Sequence, residues 1–285
     1  MMNVGDLAGP ARALVERISE TIGGLCAPWQ MRRSAKPHAA DTKTIRSDGE
    51  SKTADLQTRA MQRLAFEEAR KQRNMESVLA RSLPHLEESA DPEAMDEDWI
   101  TNFFEHARAV CDKEMQSLWA RILAGEANKP GSISRRTVNL IQDLDKEDAQ
   151  TFFNLCKYVC RFDVDDSTCP LIFSQTDDIY NRSGVNFSSL NHLETLGLVS
   201  YDFSTGYSIS LAGRTREIQL YHGRHRITIP VADPPNSRRP EISVGYALFT
   251  TAGLELHSIT SAPPEGKEFV DYLVMNKLPV GSRKV

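Results

Sequence analysis

The 285-residue sequence has few cysteines and no long run of apolar residues. No stretch approaches the roughly 18 consecutive apolar residues that would span a bilayer. The first residues also lack a basic region followed by an apolar run and a small-residue cleavage site. The five cysteines are an odd number dispersed through a long chain, unlike the dense cysteine frameworks of small secreted proteins. We therefore expect a cytoplasmic protein with reduced cysteines.

Signatures of enzymes and cofactors are missing as well. The sequence contains no phosphate-binding loop, no G-x-G-x-x-G, no G-x-S-x-G and no H-E-x-x-H. We expect no cofactor and no metal, and enzymatic activity stays open without a signature to favour it. A formal net charge of −5 argues against a generic polyanion binder, although a local basic face is compatible with it.

Helical periodicity dominates the N-terminal half, where apolar residues recur at three- and four-residue steps. This pattern predicts an amphipathic helix in residues 1–30, and a charged linker with a long helix in residues 31–95. In residues 96–162 it predicts a compact four-helix bundle. The predicted caps of its last three helices are Asp112, either Ser132 or Ser134, and Asp145 with Asp148 in the capping-box position. The fourth predicted helix of that bundle includes Phe152, Cys156, Val159 and Cys160, and its thiols are expected in the core.

The composition changes in residues 163–285. Two short helices are predicted at residues 177–182 and 188–196, followed by strands at 198–201 and 207–211 that meet at Gly206 as a hairpin. Helix, turn, helix and hairpin follow one another in the order of a winged helix. The whole chain is thus predicted to be mainly α, with N-terminal amphipathic and long helices, a central helical bundle and a C-terminal winged-helix-like α+β domain.

Several segments resemble a bacterial family of uncharacterised proteins, the domain-of-unknown-function family numbered 2806. The resemblance lies in residues 96–99, 114–126, 130–132 and 134–137, which include Trp99, Trp119, Glu126 and Gly131. It extends to Arg59, Ala60, Arg63 and Leu64 upstream, and to residues 196–198 and 248–253 downstream. The resemblance implies a bacterial, cytoplasmic setting, and brings no activity, cofactor or catalytic residue.

Polar residues within the central motif form the first candidate site. They are Gln116, Arg121, Glu126, Ser132, Ser134, Arg135 and Arg136. One interpretation is a polar lock between two helices, with Glu126 accepting hydrogen bonds from the following turn. The other is a small anion site at the start of the third bundle helix, where backbone N–H groups, hydroxyls and an arginine would converge.

Basic residues of the C-terminal domain form the second candidate site, for nucleic acid. They are Arg182, Arg214, Arg216, His222, Arg224, His225 and Arg226. Helix 188–196, which would enter a DNA groove, has no lysine or arginine, so phosphate contacts would come from these other residues. The turn at residues 221–226 is the densest basic cluster, and an exposed, solvated turn is the alternative interpretation.

The favoured function is a non-enzymatic interaction or regulatory protein that assembles through its N-terminal helices. Its protein partner, or a second copy of the chain, would contact residues 4–25 and 53–83. The first alternative is a DNA-binding regulator using the C-terminal domain. The others are an unrecognised enzyme around Glu126, Arg135 and Arg136, and a peripheral membrane effector using residues 4–25.

Overall fold

A computed structural model describes residues 9–23, 50–164, 166–211, 216–231, 240–260, 264 and 266–284. The chain divides into two compact units, unit 1 within residues 1–142 and unit 2 within residues 143–285. Each unit has its own buried core.

Unit 1 is helical. Its helices are α1 (Gly9–Ile22), α2 (Glu50–Ser82), α3 (Glu97–Ala107), α4 (Lys113–Asn128) and α5 (Arg135–Ile141), with single 3-10 turns at Leu83–His85 and Pro92–Ala94. The C-terminal half of α2 packs on α4, while α3 packs on α1 and α5. Rings of Trp99, Phe103 and Trp119 lie at the centre, with neighbouring centroids 5.1 and 5.2 Å apart. The apolar face of α1, including Leu14 and Ile18, is buried in this core.

Side-chain caps start the helices where the sequence predicts them. Asp112 accepts hydrogen bonds from the N–H groups of Glu114 and Met115 at the start of α4. Ser134 accepts one from Thr137 N at the start of α5. These bonds satisfy N–H groups that have no partner within the helix, so the residue type alone marks the helix start. Asp112 is confirmed as the cap of α4, and of the two serines predicted to cap α5 it is Ser134 that does so.

Unit 2 combines short helices with short strands. The helices are α6 (Lys146–Cys156), α7 (Asp178–Asn181), α8 (Phe187–Thr195), α9 (Thr251–Ser258) and α10 (Lys267–Asn276). The strands are β1 (Val159–Phe162), β2 (Thr168–Pro170), β3 (Val199–Tyr201), β4 (Tyr207–Ser210), β5 (Glu217–His222), β6 (His225–Pro230), β7 (Glu241–Gly245), β8 (Ala247–Phe249) and β9 (Arg283–Lys284).

The strands form one larger sheet and two small ones. The five-stranded sheet has the order β2-β1-β5-β6-β9, and every neighbouring pair is antiparallel. Strands β3 and β8 form one two-stranded sheet, and β4 and β7 the other. One face of the five-stranded sheet is buried through Leu220, Ile227 and Ile229, and α10 packs against β6.

The prediction of a mainly α fold is wrong, because the described chain is a mixed α+β protein with three antiparallel sheets. The strands are two to six residues long. A strand this short is stabilised by its neighbours in the sheet rather than by its own sequence. Local periodicity therefore found the helices and underestimated the sheets.

Two local predictions are wrong for the same reason. Helix α6 ends at Cys156, and Val159 and Cys160 lie in β1 rather than on the predicted fourth helix. The predicted hairpin is also absent, because β3 pairs with β8 and β4 pairs with β7, both more than thirty residues downstream. Residues 204–206, predicted as its turn, lie in the loop between β3 and β4.

Candidate functional site

Glu126 lies at the centre of the predicted polar lock, and its side chain is bonded to the turn that follows α4. The residue is buried, with 2% exposure. Its Oε1 accepts a hydrogen bond from Gly131 N at 2.6 Å, and its Oε2 accepts one from Ile133 N at 2.9 Å. Trp99 Nε1 donates to Ile133 O at 2.7 Å, which ties the same turn to α3. The carboxylate thus holds the α4–α5 turn from inside unit 1.

Gln116 belongs to a different cluster, between α2 and α4. Its Nε2 donates to Val110 O at 2.9 Å and to Asn74 Oδ1 at 3.3 Å. Ser77 Oγ donates to Gln116 Oε1 at 2.8 Å. Buried polar groups stabilise a fold when they are hydrogen-bonded in this way. The network links two helices and points to packing rather than to ligand binding.

Several of the remaining residues of the predicted lock also have contacts with other groups. Ser132 Oγ donates to Gly125 O at 3.4 Å, and Ser134 caps α5. Arg135 Nη1 lies 3.6 Å from Asp98 Oδ2, and both side chains are mostly exposed. Arg121 is half-buried on α4, and Arg136 is exposed on α5. Of the residues suggested for catalysis, the buried Glu126 is bonded to the turn after α4, whereas Arg135 and Arg136 are exposed on α5.

Helix α8, which would read DNA in a winged helix, is connected to α6 by a histidine–carboxylate contact. His192 Nε2 lies 2.5 Å from Asp148 Oδ1, and Asp148 Oδ2 accepts a hydrogen bond from Asp145 N at 3.0 Å in the predicted capping box. Burial alone would raise the pKa of Asp148, but the hydrogen bonds from His192 and the Asp145 backbone outweigh it and lower that pKa. The one imidazole of α8 therefore contacts a carboxylate of α6, although the His192 side chain is 52% exposed.

The predicted nucleic-acid residues are dispersed over unit 2. Arg182 Nη1 forms an ion pair with Glu268 Oε1 at 2.7 Å. Arg216 is exposed just before β5, while Arg214 lies outside the described residues. His222 is fully buried on the inner face of the sheet, where its Nδ1 lies 2.9 Å from Val159 O. Its register partner His225 is on the same face, and is half-buried.

Arg224 and Arg226 remain exposed at the β5–β6 hairpin, and the fold adds two arginines that sequence reasoning missed. Arg224 is in the turn, which begins at Gly223 with φ of 56°. Arg226 lies opposite Tyr221, and Tyr221 lies opposite Arg161 on β1. Arg283 on β9 lies opposite Thr228 on β6. The alternation of buried and accessible residues along β5 can be predicted from its sequence. The proximity of these arginines cannot, because it depends on the order of the strands in the sheet.

Within the described residues, no group of three or more His, Cys, Asp or Glu side chains is placed to hold a metal ion. Cys156, Cys160 and Cys169 are buried free thiols. Burial raises the pKa of Cys156 to about 12, and raises that of Cys160 as well. A raised pKa keeps the Cys156 and Cys160 thiols in the neutral form that suits the core.

Among the described residues of unit 1, the large apolar side chains that are exposed all lie in the N-terminal half of α2. Residues 54–66 are all exposed. Leu56, Met61, Leu64 and Phe66 are each more than half exposed, at 59%, 71%, 57% and 67%. Surface leucines are ordinary when single, but clustered ones point to a contact surface.

Comparisons with known proteins identify a family and no activity. The profile of a family described as "Protein of unknown function (DUF2806)" matches residues 58–274. No curated protein and no solved structure matches the chain. None of the helices in the described ranges combines the length and apolarity that crossing a membrane requires.

Proposed function

The chain belongs to the DUF2806 family, and because that family's description names no activity, we propose from the geometry of unit 1 that the protein is a non-enzymatic assembly protein. It pairs with a second copy of itself through an apolar stripe on α2. We define the α2 stripe as Leu56, Ala60, Met61 and Leu64. The observation that carries the proposal is that this stripe continues the buried face of the same helix.

Each residue of the α2 stripe precedes a buried residue of α2 by eighteen positions. The pairs are Leu56 with Asn74, Ala60 with Val78, Met61 with Leu79, and Leu64 with Ser82. Eighteen residues make five turns of an α-helix, so both members of a pair point in the same direction about 27 Å apart along the axis. The face that α4 covers at one end of α2 is thus exposed at the other.

The arrangement of the stripe suits a two-fold axis. Leu56 and Leu64 are each four residues from Ala60, so an antiparallel pair of α2 helices centred on Ala60 places Leu56 of each copy opposite Leu64 of the other. A two-fold interface needs such a self-complementary surface. The small side chain of Ala60 allows the two backbones to approach at the crossing.

Charges beside the α2 stripe do not oppose this pairing. Arg59 Nη2 lies 3.2 Å from Asp55 Oδ2, and Arg63 Nη1 lies 2.8 Å from Glu67 Oε1. These i,i+4 pairs leave opposite charges matched within each helix. A second copy therefore buries apolar side chains without bringing unmatched charges together.

The sequence also suggested α1 and α8 as contact surfaces, and the structure favours them less than α2. The apolar face of α1 is already buried in unit 1, so it offers little to a membrane or a partner. Helix α8 has no lysine or arginine, and its His192 contacts Asp148. Helices α7 and α8 are not followed by the hairpin that a winged helix requires, and DNA affinity depends mainly on cations at the phosphates.

The proposal is tested by the mass of the purified protein in solution, using light scattering after size exclusion. We expect a dimer for the wild type and a monomer for Leu64→Glu, because the glutamate would place a charge opposite Leu56 of the other copy within the apolar contact. Phe66→Glu is the matched control: Phe66 is as exposed as Leu64, but lies about 200° around the helix from it. A monomeric wild type, or a dimer that survives Leu64→Glu, would refute self-association.

A further inference from the structure

The outer face of the five-stranded sheet has a row of arginine, tyrosine and arginine across three neighbouring strands. Arg161 on β1 lies opposite Tyr221 on β5, which lies opposite Arg226 on β6. Residues directly opposite in a ladder point to the same face. The guanidinium carbon of Arg161 is 4.7 Å from the centre of the Tyr221 ring, within cation–π range. An aromatic ring is thus flanked by two cationic side chains.

A second row extends this surface. Gln219 lies opposite Thr228, which lies opposite Arg283 on β9, and Thr228 Oγ1 donates to Gln219 Oε1 at 2.9 Å. We define the outer face as Arg161, Gln219, Tyr221, Arg226, Thr228 and Arg283. The residues that alternate with these along the strands are buried. The outer face is therefore polar: Arg161, Arg226 and Arg283 are exposed, Gln219 and Tyr221 are half-buried, and Thr228 is buried.

The charges of the outer face are available to a ligand. Arg226 and the nearby Arg224 are exposed and form no ion pair with a described residue. Arg161 pairs with Asp166 at 2.6 Å and Arg283 with Glu217 at 3.4 Å, but all four side chains are 48–79% exposed. Exposed ion pairs contribute little to stability, so a phosphate can replace the carboxylate at low cost.

We propose that this outer face binds single-stranded nucleic acid, with a base stacked at Tyr221 and phosphates held by Arg161, Arg226 and Arg283. Aromatic rings accessible on a sheet stack bases regardless of sequence, and Tyr221 is half-buried, with part of the residue accessible. Guanidinium groups bind phosphate through two parallel hydrogen bonds. The ring and the cations are both present here, at adjacent positions of one ladder.

The dimensions of the sheet favour a single strand over a duplex. The first row continues to Thr168 on β2, opposite Arg161, so it crosses four strands. Strands lie about 4.8 Å apart, which makes this row about 14 Å wide. The DNA major groove is about 12 Å wide and admits a ribbon of two strands. The bases of a duplex are moreover stacked on each other and not available to Tyr221.

The test is fluorescence anisotropy of the full chain with labelled oligothymidine and oligouridine of about 12 nucleotides, a length within the usual range of such sites. We expect saturable binding that weakens about 20-fold between about 50 and 200 mM salt, if three phosphates are contacted. Tighter binding of one oligonucleotide would identify DNA or RNA as the ligand, and binding of either supports the proposal.

Variants locate the site. Arg226→Glu is expected to weaken binding about tenfold, as is Tyr221→Ala, whereas Tyr221→Phe keeps the ring and should bind like the wild type. Lys113→Glu makes the same charge change at an exposed position of unit 1, and should have no effect. Circular dichroism melting checks that each variant folds, and Arg226→Gln replaces Arg226→Glu if that variant does not.

Three results would overturn the inference. One is no saturable binding of either oligonucleotide at low salt, and another is equal binding by Arg226→Glu and Lys113→Glu. The third is a duplex of the same length that displaces the single strand. These outcomes are independent of the oligomeric state, so they leave the α2 pairing untouched.

Discussion

Asp148 is the buried carboxylate whose two oxygens connect two helices of unit 2. One oxygen accepts from the backbone at the start of α6, and the other contacts His192 on α8. Sequence reasoning identified the first role, because a capping box has a fixed spacing of three residues. It missed the second, because His192 is 44 positions away and only the packing of α8 on α6 brings it close.

Acid should remove the stabilisation by Asp148. Its pKa is lowered in the folded protein, so the folded state binds this proton less readily than the unfolded chain. The contribution is therefore complete above the unfolded-state pKa of about 4, and is lost as the pH falls through the lower folded-state pKa. We expect Asp148→Asn to have a lower free energy of unfolding than the wild type near about pH 6, measured with urea. This difference in free energy should shrink below about pH 4.

Asp143→Asn is the control for this measurement, because Asp143 is exposed just before the α6 cap. Its unfolding should follow that of the wild type across the same pH range. An Asp148→Asn deficit that stays constant from neutral to acid pH would show that the carboxylate charge is not the cause.

Helix α2 shows how one element can have two environments along one face. Its C-terminal half is covered by α4, and its N-terminal half presents the same apolar direction to solvent. The exposed half continues a helix that is already nucleated and packed, so it persists without a cover. Leu56, Ala60 and Leu64 were recognised as helical in the sequence, but periodicity does not tell which turns of a helix will be covered.

A charge exchange distinguishes antiparallel from parallel pairing of α2. In the antiparallel arrangement, the double variant Leu56→Lys/Leu64→Glu places a lysine opposite a glutamate at both ends of the contact. We expect each single variant to be monomeric and the double variant to regain dimer, measured by sedimentation equilibrium. In a parallel pair the double variant would face lysine with lysine, so its failure to associate would count against the antiparallel geometry.

Assembly should be visible in the stability of the whole molecule. Pairing adds a binding free energy that depends on protein concentration, so a self-associating chain melts at a higher temperature when it is more concentrated. We expect the melting temperature of the wild type and of Phe66→Glu to rise over about a tenfold increase in concentration. Leu64→Glu should melt at the same temperature throughout. A wild-type melting temperature that does not move with concentration would argue that no dimer contributes to stability.

Local interactions are the part of this protein that its sequence determined. Asp112, Ser134 and Asp145 start helices because a cap and the N–H groups it satisfies are within three residues of each other. The apolar spacing of α3 and α4, and the segments that identify the family, likewise involve residues that are close together in the chain. These features depend on neighbours along the chain, and so they are present in the order of residues.

Strand pairing and the choice of exposed face were decided only by the tertiary structure. Nothing near Arg161 in the chain indicates that Tyr221 and Arg226 will lie beside it, because the ladder of β1, β5 and β6 joins segments about sixty residues apart. Burial of Glu126 and exposure of Leu64 likewise depend on what packs against each helix. Pairing and packing are contacts between distant segments, which form only when the whole unit folds, and both candidate surfaces depend on them.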